Sequence, residues 1–172
     1  MMIYIYHDYA GTHSTALAAA HHLKILTSPT RKLTKEEILS VPYFNKLTKQ
    51  DVGKFIFHGK DEEENLVFTL ARKRDKLVVP ALQDFCLHLE ERNYFNNKII
   101  FSNTSPTVPL AMTLGGFFSR GLGIDVIGVP LLVKGAQQSN EAIFKLVEKT
   151  KGMAREKNME KVILIENKEF QA

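Results

Sequence analysis

Seven residues able to donate, accept or move a proton fall within positions 7 to 15: His7, Asp8, Tyr9, Thr12, His13, Ser14 and Thr15, with Gly11 among them. His13 and His7 carry the side chain whose ordinary pKa suits proton transfer near neutrality, and Asp8 is a third candidate for acid or base work. Gly11 permits a tight turn or a close backbone approach, while Thr12, Ser14 and Thr15 bring hydroxyls to the amide-rich start of a helix. Such a helix start favours an anion by roughly 0.3 to 1 kcal/mol at exposed sites, and by up to about 2 when partly buried. Phosphate or a carboxylate is the natural guest. The pattern is not the GxxxxGK[ST] phosphate loop, because His13 precedes Ser14 and the first lysine is Lys24.

These residues need elements to hold them, and the apolar period of the chain supplies those elements. Met2 to Tyr6 is apolar on both faces, as a central parallel strand requires, and Ser14 to Leu26 has a helical pattern. Thr34 and Glu37 form a capping-box pair that starts a short helix, which Pro42 ends. GKFIFHG and NLVFTLAR flank the acidic KDEEE and predict a hairpin. From Val78 onward Leu82, Phe85 and Leu89 line a helix face, with Val79 and Cys86 beside them, which predicts a buried, unreactive thiol. KIIFSN returns to strand, and Pro109 suits the first turn of a helix that Gly121 and Gly123 stop. IDVIGVPLLV is expected as a strand, at an edge or bulged because of Pro130, before a helix over Glu141 to Lys157 and a last strand in KVILIEN. Strands alternating with helices predict an α/β fold. It is a three-layer α/β/α sandwich, P-loop-like or Rossmann-like, with a largely parallel sheet and an inserted antiparallel hairpin.

In open α/β sheets ligands bind beyond the carboxyl ends of the strands. On this reading three polar loops converge there: HDYAGTHS, SNTSP and KGAQQS. The second contributes Asn103 and Ser105, and the third contributes Lys134 as a cation and Gln137 as an amide. Other coincidences carry less. CLHLEER matches the Cys-x5-Arg spacing of cysteine phosphatases, but Cys86 and Arg92 lie in a helical pattern without glycine. His7, His13 and Asp8 could in principle hold zinc, yet no HExxH spacing or cysteine partner accompanies them, so no metal ligand is assigned. His58 and His88 are expected to be structural or exposed.

The chain has 172 residues, a length that makes one domain over 1–172 the expectation, with 160–172 as a C-terminal extension strand. Apolar residues make up 44% and charged residues 24%, which argues against general disorder. The net charge of +4 comes from interspersed signs, so nucleic acid is not an expected partner; the dense run Arg72, Lys73, Arg74 and Lys76 is read as a solvated strand end. A single cysteine suits a reducing compartment, and His7 and Asp8 interrupt the first apolar run too early for a signal peptide. The uncharged stretch before Arg120 is broken by SNTSPTVP, so no membrane span is expected and a cytoplasmic location is.

YHDYAGTHSTALAAAHHL resembles the start of a family of small uncharacterised Firmicutes proteins, a domain of unknown function, with a YGGTHS-type turn. The likeness continues through Val41-Pro42-Tyr43-Phe44, the hairpin, Asn103-Thr104 with Pro106, the glycine-rich Gly115 to Gly123, and Lys134-Gly135 with Gln137. Ala10 replaces the usual first glycine, which argues against a glycine-only backbone angle there, and the last residues extend beyond the family core. The resemblance implies a coherent fold and no activity. The expected function is binding of a phosphate-bearing small molecule or nucleotide at the converging loops, with self-association left open. The alternatives are a regulatory or adaptor protein whose KDEEE hairpin and nearby Arg72 to Arg74 bind another protein, and a metal-dependent hydrolase.

Overall fold

A computed structural model describes residues 1–27, 29–156 and 160–170. The expected helix end at Lys157 and the last two residues of the expected extension, Gln171 and Ala172, lie outside the described residues. Five strands form one sheet: β1 (Met2–Asp8), β2 (Phe55–Lys60), β3 (Leu66–Ala71), β4 (Lys98–Asn103) and β5 (Val162–Ile165), in the order β2-β3-β1-β4-β5. β1 runs parallel to both β3 and β4, β4 runs parallel to β5, and the β2–β3 hairpin is antiparallel. The first strand is therefore central, as its two apolar faces demand.

Side chains alternate across β1. Tyr4 and Tyr6 enter one core with α1 (Ser14–His22) and the last helix, α5 (Asp125–Arg155), while Ile5 enters a second with Phe101, Leu70 and Val79 of α3 (Val78–Glu91). Helices thus cover both faces of a largely parallel sheet, and the three-layer α/β sandwich is the architecture. A short helix, α2 (Lys35–Ser40), begins with the Thr34–Glu37 capping box in both directions. α4 (Leu110–Gly116) follows β4 and continues as a π-helical turn over Phe117–Gly121. Among the described residues no helix is long and apolar enough to cross a membrane.

Two expectations about the elements fail here. IDVIGVPLLV is helix, not strand: α5 runs unbroken from Asp125 through Pro130 to Arg155, absorbing the helix expected from Glu141. Proline in a helix removes the bond to the carbonyl four residues earlier. That carbonyl belongs to Val126, a residue 88% exposed, so water can reach this end of the helix. The β-branched, apolar run is instead explained by helix pairing, because α4 and its π turn lie against α5 at glycine contacts. A Cβ on Gly115 would stand 2.6 Å from the Leu132 amide nitrogen, and one on Gly135 would stand 2.6 Å from that of Met112.

The second failure is the end of α1, at His22 rather than Leu26. The Ile25 amide donates to the Ala20 carbonyl at 2.9 Å and the Lys24 amide to that of His21 at 3.1 Å, the crossed pair of a Schellman ending. Its left-handed residue is Lys24, φ +56°, where glycine would have been a visible signal. Cys86 is half-buried rather than buried, packed beside Val79 and Leu82, and burial raises its thiol pKa. His58 is half-buried against the Thr69 hydroxyl at 3.1 Å, and His88 is exposed.

Candidate functional site

β1 delivers Asp8 to the carboxyl edge of the sheet, where the chain must reverse into α1. Asp8 drives that reversal: Oδ1 accepts the Gly11 amide, and Oδ2 accepts the Ser14 hydroxyl at 2.6 Å. Gly11 has φ +71°, and a Cβ there would lie 2.6 Å from Cβ of Ala71 and 2.8 Å from its backbone nitrogen, so both its angle and its lack of a side chain are needed. Ala10 has no such angle. Ser14 also meets the Thr104 hydroxyl at 2.8 Å, tying the turn to the loop after β4.

The expected anion donors therefore divide. Thr12 is a clamp: its hydroxyl donates to the Tyr43 carbonyl at 2.6 Å and accepts the amides of Lys46 and Leu47. Ser14 already donates its hydroxyl to Asp8. Thr15 is different, because its hydroxyl oxygen is fully buried without a hydrogen-bond partner among the described residues. α1 itself has no side-chain cap, although every residue from Gly11 to His22 is buried. A buried helix start without a cap calls for another group to meet its amides.

His13 occupies the N-cap position. Its Nε2 lies 3.2 Å from Asn45 Oδ1, its ring meets Phe44 edge-on, and Gly116 leaves room beside Cε1. Asn45 Nδ2 donates to Ser119 Oγ at 2.8 Å, Ser119 donates to Asp125, and Arg120 donates to the Asn45 carbonyl at 2.9 Å. That directed chain assigns the proton to Nε2 of His13 and leaves Nδ1 as an acceptor. Burial pushes the His13 pKa down against the opposing influence of Asn45 and Asp8, so the ring is a neutral base rather than a standing cation. Tyr43 and Asn45 both adopt left-handed angles, φ +62° and +54°, a strained loop held in place by Thr12.

His7 and Asp8 part company, pointing to opposite faces of the sheet. The His7 ring is buried beside Arg72, its pKa is pushed down to about 3 chiefly by burial, and neither ring nitrogen has a partner among the described residues. Asn103 and Ser105 do reach this edge. Asn103 Nδ2 donates to Glu166 at 2.8 Å, its Oδ1 accepts the Ser105 amide at 3.0 Å, and Ser105 Oγ accepts from Arg72 at 3.3 Å.

Lys134 and Gln137 do not reach it. With no strand before them they fall in mid-α5, where Gln137 donates to the Leu33 carbonyl at 2.7 Å and Lys134 lies exposed along a groove with Pro29 to Lys32, beyond the far end of α1. The cationic loop at the carboxyl edge is instead Arg72 to Lys76, directly after β3. The signal was present, since β3 also leads into a helix, α3, and its loop counts with the others. The KDEEE turn lies at the opposite end of β3 from Arg72, so the two charged segments of the adaptor reading are not neighbours. Asn45 gives no local signal, and Ser119 and Arg120 are marked only as part of the Gly115 to Gly123 segment of the resemblance.

The adjacent histidines of α1 are structural. Tyr6 donates its hydroxyl to His22 Nδ1 at 2.8 Å, and His22 Nε2 donates to Asp61 at 3.1 Å; His21 meets Asn140 at 2.8 Å. Among the described residues no group of three or more His, Cys, Asp or Glu side chains is placed to hold a metal.

The sequence matches the family described as "Protein of unknown function (DUF3189)" over residues 3–152. The chain belongs to that family. The matched span contains the β1–α1 turn and the loops after β3 and β4, and it ends before β5. No curated protein and no solved structure matches the chain.

Proposed function

We propose that the protein binds a phosphate-bearing small molecule, with nucleotides among the candidates, at the turn between β1 and α1. The observation that carries this reading is the buried start of α1: among the described residues no side chain caps it, and the Thr15 hydroxyl beside it has no partner. Helix-start amides and a free hydroxyl are the donors that phosphate oxygens take. The central place of β1 puts the turn where open α/β sheets hold ligands. His13, neutral and oriented by Asn45, supplies Nδ1 to accept a proton if the bound molecule reacts.

A thermal-shift screen of nucleotides, sugar phosphates and inorganic phosphate tests this, because a ligand at about 100 times its dissociation constant adds roughly 2.7 kcal/mol to native stability. Thr15→Val is the matched variant. It should leave the ligand-free protein as stable as before and weaken the hit about tenfold, the loss of one charge-assisted hydrogen bond. No hit, or a hit that Thr15→Val leaves unchanged, would refute the reading.

The adaptor reading draws on a separate observation. Phe117, Leu122, Ile124, Val126 and Ile127, which follow one another through the π turn and the α4–α5 connection, are each exposed, and apolar side chains so placed are of the kind that protein partners cover. Val126→Glu should leave folding intact and abolish any complex formed there, measured by light scattering.

A further inference from the structure

His7 is 2% exposed, and both its ring nitrogens lack a hydrogen-bond partner among the described residues. A buried imidazole left unpaired has given up its hydrogen bonds to water with nothing in exchange, so the arrangement needs a reason. Alternation along β1 places His7 on the α3 face, level with Leu70 of β3 and Asn103 of β4. Arg72 and Ser105 follow those two flanking strands. The bond from Arg72 Nη2 to Ser105 Oγ, at 3.3 Å, therefore draws the guanidinium across the end of β1 on the face that carries His7. Among the described residues Arg72 makes one other side-chain bond, to the Lys73 carbonyl at 3.3 Å. Both bonds are long for a charged donor, and a guanidinium has five N–H groups to offer.

We propose that His7, Arg72 and Ser105 form an oxyanion site on the α3 face of the sheet's carboxyl edge, taking the phosphate or carboxylate group of a small ligand. Arg72 is half-exposed and can turn its planar fork from Ser105 to the incoming oxygens. That movement uncovers His7, whose ring N–H donates to one oxygen, and frees the Ser105 hydroxyl to donate to another. The neighbouring carboxylates are already committed: Glu166 accepts from Asn103 Nδ2, and Asp8 faces the other side of the sheet and holds Gly11 and Ser14. Lys73, Arg74 and Lys76 of the same loop add attraction for an anion. The site lies across β1 from the α1 turn and does not rest on the function proposed for that turn.

Nitrogen-detected NMR of the histidine rings in the full chain tests it, with inorganic phosphate and acetate as separate probes. The expected result is a saturable shift of both His7 ring nitrogens by at least one probe below about 50 mM, the weak range suited to an isolated ionic group. Response to phosphate alone assigns a phosphoryl group, and response to acetate assigns a carboxylate. Arg72→Gln should weaken the response about tenfold or more, and Thr15→Val, across the strand, should leave it intact. An unmoved His7 with both probes, an Arg72→Gln protein that titrates like the original, or equal loss in Thr15→Val would each overturn the separate site. If Arg72→Gln failed to fold, the titration of the unaltered protein would still decide.

Discussion

Hydroxyls one to three positions apart in the chain do different work here, and the difference is set by their partners. Thr12 holds the strained Tyr43–Leu47 segment through one donated and two accepted bonds, so Thr12→Val removes all three and strips the Leu47 amide of its Thr12 partner, while the Tyr43 carbonyl and the Lys46 amide keep their bond to each other at 3.1 Å. The expected cost is about 1 to 3 kcal/mol in urea unfolding. Thr15→Val, which removes a hydroxyl that has no partner, should cost close to nothing in the same measurement. Equal losses for the two variants would mean that Thr12 is no clamp. His22 is a third case of assignment by partner. Burial pushes its pKa down to about 4, so at neutral pH it is uncharged, and its contact with Asp61 is a hydrogen bond from Nε2 rather than an ion pair. The proton on Nε2 leaves Nδ1 to accept from Tyr6, which joins strand, helix and hairpin turn in one line.

The elements show how glycine can decide whether an apolar run becomes strand or helix. Gly115, Gly128 and Gly135 let α4, its π turn and α5 approach until a Cβ would collide with backbone: at Gly128 it would lie 2.5 Å from the Ser119 amide nitrogen. Gly135→Ala must push the helices apart, and a loss of about 1 to 3 kcal/mol is expected. Gly152, in the same helix, has open space around its would-be Cβ and is exposed. Gly152→Ala should raise stability by roughly 0.5 to 1 kcal/mol through helix propensity alone. Urea midpoints of the pair check this, and a destabilised Gly152→Ala protein would contradict the packing account. The sequence shows the same letter at both positions, and only the neighbour across the helix pair separates them.

Across the whole molecule, burial keeps several imidazoles uncharged, and stability should follow. His7, His22 and His58 are pushed down to about 3, about 4 and about 4, in each case mainly by burial, and an unfolded chain would titrate them near 6.5. Between those values the unfolded state binds more protons than the folded one, so stability is full above about pH 6.5 and falls as the pH drops toward 4. The urea midpoint should therefore decline between about pH 7 and about pH 5, and a flat profile would show that these rings are not buried neutral. Much of this molecule was legible in its residues. The two-faced apolar run at Met2 to Tyr6 dictated a central strand, Thr34 and Glu37 dictated a cap, and KDEEE between two alternating runs dictated a hairpin, because each depends on neighbours a few positions away. Gly11 with its flanking polar residues likewise marked the turn where strand meets helix. Tertiary structure decided the rest. It turned IDVIGVPLLV into helix by offering α4 as a partner, and so carried Lys134 and Gln137 away from the carboxyl edge. It committed Thr12 and Ser14 to bonds with Tyr43, Asp8 and Thr104, and it set Arg72 across the end of β1 above an unpaired His7. A hydroxyl or guanidinium has the same chemistry in any sequence, but whether its hydrogen bonds are already taken depends on groups far along the chain that only folding brings within about 3 Å.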